Sequence, residues 1–317
     1  MEALYFFEKL RTPFLDKLFY FITALGAEIF FIVIAITVYW CFSKKLGYYL
    51  MTVCFFGVVV NQTIKLLAKI PRPWVIDPSF SIVEAARSDA SGYSFPSGHT
   101  QNAVSISGCI AVSAKDFARS KKTRCVIWSG CVLLALLVAV SRMYLGVHTL
   151  WDVAVSAMLA AGFVAAFKCV LALAEKKHFI MYLIIAAMIA ASVVFLAVAY
   201  SSVGTAPNEI ENVVSARRHA WYMLGGVLGI AVAYPIEHKY VRFETNATLF
   251  GQLIKIVPGA AAVFGIKMLE EPLLFIFGGH NAAHAVRYFL MVVFAVAVWP
   301  ACFRYLPGNC GRKKSEE

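Results

Sequence analysis

The amino-acid sequence predicts an all-α protein, a polytopic transmembrane helical bundle with about nine spans. Hydrophobic residues make up 61% of the 317 residues and charged residues only 15%, a composition far from that of soluble domains. Its apolar stretches are also long enough to cross a bilayer, which takes about 17–25 residues. We place the spans at residues 21–42, 46–67, 99–114, 125–141, 150–173, 179–200, 219–236, 251–269 and 283–304.

The first 20 residues are expected to lie on the membrane surface. They mix Phe, Leu and Tyr with charged side chains, namely Lys9, Arg11, Asp16 and Lys17. This mixture is typical of an amphipathic helix at the interface rather than of a span. We therefore predict an N-terminal interfacial helix over residues 1–20.

The distribution of lysine and arginine orients the bundle, because basic loops stay on the cytoplasmic side. Basic residues cluster near 44–45, 115–124, 176–177 and 239–242, and in the tail at 312–314. With nine spans, all of these clusters fall on one side, with the N-terminus outside and the C-terminus inside. The loops at 68–98, 142–149, 201–218 and 270–282 then face the extracytoplasmic side. Orientation in a membrane explains the net charge of +11, so we expect no nucleic-acid partner.

Three polar stretches, at residues 65–73, 96–99 and 141–152, lie on the predicted outer loops. In the last of them His148 and Asp152 are four residues apart, so they share one helix face if the fifth helix has begun by His148. The carboxylate can then fix one ring nitrogen and leave the other free to act as a nucleophile. An interfacial His–Asp pair without catalytic function is the alternative for this motif alone.

The middle stretch, Pro96 to His99, stands just before an apolar helix. Pro96 and Ser97 suit a helix start, and Gly98 allows a ligand to approach the backbone closely. Free amides at a helix N-terminus bind anions, and His99 can donate a proton to a leaving group. An ordinary turn and cap is the alternative.

Lys65, Arg72 and Arg142 are candidate ligands for a phosphoryl group, whose transfer needs fixed positive charge around the equatorial oxygens. Arginine offers planar bidentate geometry and lysine a point charge. For Lys65 the alternative is a side chain that snorkels from the end of the second span.

Other polar features give weaker evidence for a function. The loop at 74–95 is polar and is expected to form a partial lid. His280 and His284 lack a third well-spaced metal ligand, and Arg217 and Arg218 have the character of a solvated helix end, so their roles stay open. The eight cysteines form no CxxC pair, and we expect buried thiols and no metal site.

Together the three stretches contain K-x6-R-P (65–73), P-S-G-H (96–99) and S-R-x5-H-x3-D (141–152). These motifs resemble the three signatures of the type 2 phosphatidic acid phosphatase superfamily, which also includes the vanadium haloperoxidases. Every signature position is filled. Residues 25–28 (LGAE) and 39–42 (YWCF) also resemble a bacterial membrane subgroup that is distantly similar to sphingosine-phosphate phosphatases.

The resemblance implies a five- to six-helix phosphatase core, placed at residues 21–200, and leaves 201–317 as additional transmembrane helices and a short basic tail. It implies a metal-independent mechanism without a cofactor, in which His148 is the nucleophile, Asp152 orients it, and His99 acts as acid and then as base. A bell-shaped pH profile is expected, since His148 must be neutral and His99 protonated. The resemblance further implies these phosphate-binding residues: Lys65, Arg72, Ser97, Gly98 and Arg142.

The predicted function is hydrolysis of a phosphomonoester or pyrophosphate of a lipid: phosphatidic acid, a sphingoid-base phosphate or an isoprenyl pyrophosphate. The expected location is a bacterial inner or plasma membrane, with membrane lipids as neighbours and the active site on the extracytoplasmic side. Three alternatives stay open: a phosphotransferase to a lipid or sugar acceptor, a vanadate haloperoxidase, and a lipid transporter with a vestigial site. The sequence does not reveal the oligomeric state, the organism or the particular lipid.

Overall fold

A computed structural model of the chain, described for residues 1–308 and 310, confirms the all-α fold. Within this described part there are fourteen α-helices and no strand. The α-helices are α1 (Glu2–Lys9), α2 (Pro13–Ala24), α3 (Glu28–Cys41), α4 (Lys44–Ala68), α5 (Pro73–Ile76), α6 (Gly98–Phe117), α7 (Lys121–Tyr144), α8 (Leu150–Lys176), α9 (Phe179–Ser201), α10 (Pro207–Ile236), α11 (Leu249–Lys267), α12 (Glu270–Ile276), α13 (Ala282–Val293) and α14 (Trp299–Cys302). Short π-helical segments follow α10 (Glu237–Val241) and α13 (Phe294–Val298).

Among the described residues, seven helical segments are long and apolar enough to cross a membrane, or up to eight if the bent pair of α2 and α3 is one span. The remaining predicted span, 99–114, is helical in α6 but falls outside this set. Its buried positions include Thr100, Gln101, Ser105 and Ser107, which lower the apolar character of α6. The buried face of α6 is thus partly polar, and the helix packs along α7.

The N-terminal region differs from the predicted single interfacial helix. It forms two helices, because Thr12 caps α2 through its hydroxyl, which accepts from the Leu15 amide, and Pro13 occupies the first helical position. The second of these helices runs on to Ala24 and makes a 45° bend with α3. The interfacial location of residues 1–20 stays a prediction.

The chain divides into two compact units, each described by itself. The first comprises Met1–Ile32, Tyr49–Ala172 and Val198–Ala216. In this unit α6 and α7 pack along each other, and α1 and α2 also contact α7. One apolar cluster joins Leu4 of α1 to Phe80 and Ile82 of the long loop and to Met143 of α7. The loop at 74–95 is consequently packed against helices over part of its length.

The second unit comprises Val33–Tyr48, Leu173–Ala197 and the chain from Arg217 onward. Trp40 is fully buried, and its indole nitrogen donates to the Ala295 carbonyl at 2.7 Å. Lys44 pairs with the buried carboxylate of Glu237 at 2.9 Å. The basic tail at 312–314 lies outside the described residues.

Candidate active site

All eight predicted site residues lie in the first unit, at helix ends that face one another. Lys65 is in the last turn of α4, and Arg72 immediately precedes α5. Arg142 is in the last turn of α7, and Asp152 is in the first turn of α8. His148 stands in the short connection between those two helices. The fold therefore brings together stretches that are up to 87 residues apart in the sequence.

The backbone carbonyls of four consecutive residues, 91–94, accept hydrogen bonds from two of the three cationic side chains. We name this segment the carbonyl strap. Arg72 donates to the Ser91 carbonyl through Nη2 at 2.8 Å and to the Gly92 carbonyl through Nε at 3.0 Å. Lys65 donates through Nζ to the carbonyl of Tyr93 and, at 3.4 Å, to that of Ser94. The strap turns at Gly92, whose φ of +73° favours glycine. Neutral acceptors thus hold both side chains, and neither side chain forms an ion pair with a described residue.

Arg142 is completely buried, yet much of its guanidinium is unpaired. Its Nη1 donates to the Thr23 hydroxyl at 2.8 Å. Its Nε and Nη2 are buried and have no hydrogen-bond partner among the described residues. Buried polar groups are nearly always paired, so two free N–H donors on one guanidinium suit a bidentate oxyanion such as phosphate.

The ring of His148 lies between Arg72 and Asp152. Arg72 Nη1 is 3.0 Å from His148 Nε2, and because a guanidinium only donates, this nitrogen carries the lone pair. The proton then belongs on Nδ1, which is 3.4 Å from Asp152 Oδ2 without hydrogen-bond geometry. The lone pair on Nε2 is the property that a nucleophilic histidine needs.

The environment keeps His148 neutral. The side chain is 2% exposed, and burial is the main reason that the pKa of His148 lies well below its usual range. The positive charges of Arg72, Arg142 and Lys65 lower this pKa further, in that order, and His99 adds a smaller effect.

The predicted sharing of one helix face by His148 and Asp152 does not apply, because α8 begins at Leu150. Thr149 caps the helix instead: its hydroxyl accepts from the Asp152 amide at 3.3 Å, and its own amide donates to Asp152 Oδ2 at 2.7 Å. This reciprocal pair is a capping box. The T-x-x-D spacing before an apolar run signals such a box, so the later helix start was readable from the sequence.

The P-S-G-H stretch forms the predicted helix start. Ser97 is the N-cap of α6, and its hydroxyl accepts from the Thr100 amide at 3.5 Å. Gly98 is the first helical residue and has open space where a side chain would project. His99 follows, and the charges of Arg142, Arg72 and Lys65 all act on its ring. His99 therefore belongs to the same cluster as the three cations.

Sequence reasoning missed several groups in this cluster. Ser94 donates through its hydroxyl to Asp152 Oδ2 at 2.6 Å. Thr23 is the partner of Arg142, and Asp89 and Tyr20 act electrostatically on the same guanidinium. Backbone carbonyls and partners from distant helices leave no local pattern, so the sequence carried no signal for most of them.

The long loop is tied to the N-terminal helix by polar contacts. The Tyr5 hydroxyl donates to the Asp77 carboxylate, the Ser81 amide donates to Glu8 at 3.0 Å, and Arg11 donates to the Ser81 carbonyl at 2.8 Å. The assignment of this loop as a partial lid stays a prediction.

The remaining polar residues that the sequence singled out lie in the second unit. His284 is buried, with Nδ1 3.5 Å from Glu270, whose carboxylate also pairs with Arg287. His280 accepts from the Ala282 amide at 3.1 Å and packs edge-on against Trp221. Within the described residues, no group of three or more His, Cys, Asp or Glu side chains could hold a metal ion.

Two family descriptions match the chain. The PAP2 superfamily matches residues 45–173, and the transmembrane extension of PAP2 superfamily phosphatases matches residues 221–310. A solved structure, titled as the first transmembrane PAP2 type phosphatidylglycerolphosphate phosphatase from Bacillus subtilis, superposes with a TM-score of 0.46 at 24% identity, covering 56% of this chain and 84% of that one.

Named relatives are similar to just under half of the chain. Phosphatidylglycerophosphatase B of Bacillus subtilis (strain 168) is 34% identical over 151 residues, which cover 45% of this chain and 69% of the relative. Sphingosine-1-phosphate phosphatase 2 of Mus musculus is 29% identical over 156 residues, covering 49% of this chain and 42% of the relative. The human protein of that name is 28% identical, and the match spans 34% of its length. Supported by both family matches and by the Bacillus relative, the chain belongs to the PAP2 superfamily of membrane phosphatases, as its three motifs predict.

Proposed function

We propose that this protein is an integral membrane phosphatase that hydrolyses a lipid phosphate through a phosphohistidine on His148. The observation that carries the proposal is the placement of His148 Nε2, which bears a lone pair and contacts Arg72 at 3.0 Å. The unpaired donors of Arg142 and the Lys65 ammonium complete a positively charged site. A phosphoryl group held by these cations would lie beside the nucleophile.

The proposed reaction has two steps, formation and hydrolysis of the phosphohistidine. His148 Nε2 attacks phosphorus, the bond from phosphorus to the lipid oxygen breaks, and that oxygen takes a proton from His99. Water then attacks the phosphorus of the phosphohistidine and gives a proton to His99. The bond from phosphorus to His148 Nε2 breaks, which returns the lone pair to that nitrogen and releases inorganic phosphate. Asp152 balances the positive ring of His148 during both steps. Lys65, Arg72 and Arg142, with Ser97 and Gly98 at the start of α6, hold the phosphate oxygens.

We propose further that the mechanism needs no metal ion and that the site faces the extracytoplasmic side. The cationic side chains of the site support a mechanism without a metal ion. Buried cations would repel a metal ion and would themselves stabilise the negative charge that a metal ion otherwise stabilises. The basic loops predicted on the cytoplasmic side support the extracytoplasmic placement of the site. The names of the relatives favour a lipid phosphate as substrate, with a phosphatidylglycerophosphate or a sphingoid-base phosphate as the first choices.

The test is phosphate release by the purified protein in the presence of a chelator. The substrates are phosphatidylglycerophosphate, phosphatidic acid, sphingosine 1-phosphate, an isoprenyl pyrophosphate and a soluble sugar phosphate, each given also to His148→Ala. Release that survives chelation and is lost in the variant supports the mechanism, and the preferred substrate identifies the role. Release that the variant retains would show that His148 is not the nucleophile.

A further inference from the structure

The carboxylate of Asp152 is held by groups other than the histidine that it faces. Oδ2 accepts from the Ser94 hydroxyl at 2.6 Å and from the Thr149 amide at 2.7 Å. His148 Nδ1 is farther away, at 3.4 Å. The position of this oxygen is thus set by Ser94 and Thr149, and the ring meets an acceptor already in place.

Ser94 is itself fixed from two sides. It is fully buried, its amide donates to the Ile70 carbonyl at 2.9 Å, and its own carbonyl is 3.4 Å from Lys65 Nζ. One residue of the carbonyl strap therefore contacts a phosphate-binding cation through its backbone and the orienting carboxylate through its side chain. Outer groups of this kind commonly fix the geometry of the residues that do the chemistry.

We propose that Ser94 is a positioning residue, which holds the Asp152 carboxylate against His148 during phosphoryl transfer. The inference rests on the proposed phosphohistidine mechanism. Once Nε2 bonds to phosphorus, the ring is positively charged and Nδ1–H needs a fixed acceptor. Without the Ser94 hydroxyl, the carboxylate keeps only the Thr149 amide, so it stays beside the ring but no longer has a fixed orientation toward Nδ1.

The loss of the hydroxyl also changes the charge that His148 experiences. The charged and titratable groups around the ring are Lys65 from α4, Arg72 before α5, His99 from α6, Arg142 from α7 and Asp152 from α8. Asp152 is the single carboxylate of this set. With one donor fewer, its negative charge is shared less with Ser94 and stabilises the protonated ring more. The acid limb of the rate profile should therefore move to higher pH.

Ser94→Ala is the test variant, and Ser156→Ala is its matched control. Ser156 is equally buried, and its hydroxyl donates at 2.7 Å to the same residue, Asp152, but to the backbone carbonyl. Both variants lose one buried hydroxyl beside Asp152, and only one of them loses a contact with the carboxylate. Wild type, both variants and His148→Ala are assayed for phosphate release from pH 5 to 9, with kcat and KM determined separately.

For Ser94→Ala we expect kcat to fall about tenfold, KM to stay near that of wild type, and the acid limb to move upward. Ser156→Ala should keep kcat within about twofold of wild type. If Ser94→Ala does not fold, Ser94→Cys replaces it, since a thiol is of similar size and a much weaker donor, and the same direction of change is expected.

Two results would overturn the assignment of Ser94. One is equal kcat, KM and pH profiles in Ser94→Ala and Ser156→Ala. The other is a loss of kcat/KM in Ser94→Ala that comes with a matching rise in KM and an unchanged acid limb. That second result would indicate a structural role alone. A wild-type protein that releases phosphate from none of the substrates would instead overturn the proposed function, and the inference with it.

Discussion

Arg142 offers a direct test of the phosphate site, because the structure predicts how much one substitution should cost. Lysine in its place keeps the positive charge and removes the planar fork. In the wild type, Nη1 is used by Thr23 at 2.8 Å, while Nε and Nη2 are buried without partners among the described residues. Both free donors are available to a phosphate, and lysine reproduces neither geometry.

The magnitude follows from those two donors. A hydrogen bond to a charged group contributes about 1.5–3 kcal/mol, so two of them contribute roughly 3–6 kcal/mol. At about 1.4 kcal/mol for each factor of ten, their complete loss lowers kcat/KM by roughly 10²–10⁴. The lysine ammonium recovers part of the charge interaction, so we expect Arg142→Lys to lie near the lower end, at a loss of about 100-fold.

The assay is kcat/KM for a lipid phosphate in mixed micelles, and Arg124→Lys is the control. Arg124 lies near the start of the same helix, where Nε donates to the Ala118 carbonyl at 2.9 Å, and its replacement should leave kcat/KM unchanged. Thermal unfolding of both variants shows whether they fold. A loss below about threefold in a folded Arg142→Lys protein would mean that the two unpaired nitrogens do not contact the transferring phosphate.

Four further outcomes are expected. In wild type, the acid limb of the kcat/KM profile should lie below the ordinary histidine pKa of about 6.5, because burial lowers the pKa of His148. The free energy of unfolding should also decrease as pH falls below that value. The reason is that the unfolded chain binds the proton of His148 more readily than the folded chain does. Gly92→Ala should lose about 1–2 kcal/mol of stability and raise KM, because the φ angle of Gly92 is +73°. The control is Gly130→Ala in α7, where an added side chain meets open space. Thermal unfolding and kinetic assays should show neither a loss of stability nor a rise in KM for this control. Tyr5→Phe removes the hydrogen bond to Asp77 and should speed amide exchange at residues 77–82 in hydrogen–deuterium exchange; unchanged protection would show that this contact does not hold the loop.

The sequence predicted the site in outline because its charged side chains stand out in an apolar chain. Lys65, Arg72 and Arg142 are costly in a membrane protein without a purpose, and their order along the chain matched a family pattern. Their actual partners were not predictable, because the carbonyls of residues 91–94 are backbone groups that every residue possesses. Ser94 illustrates the limit: its role depends on a carboxylate 58 positions away.

The exact start of a helix depends on a few local contacts. The start of α8 depends on the capping box between Thr149 and Asp152, and the start of α2 depends on Thr12 and Pro13. Hydropathy locates the apolar interior of a span but is insensitive to these few polar hydrogen bonds at its end. Hydropathy also underestimates α6, because this helix buries serine and glutamine side chains against protein neighbours.

The carbonyl strap has a consequence for the turnover cycle. In the proposed reaction, Lys65 and Arg72 already donate to fixed backbone carbonyls before phosphate arrives, so an arriving phosphate exchanges one set of oxygen ligands for another. Little reorganisation energy is then needed at each round. The same arrangement eases product release, because the strap carbonyls take back the donors as the phosphate leaves. The uncharged carbonyl strap thus allows tight binding of the phosphoryl group in the transition state without trapping the inorganic phosphate.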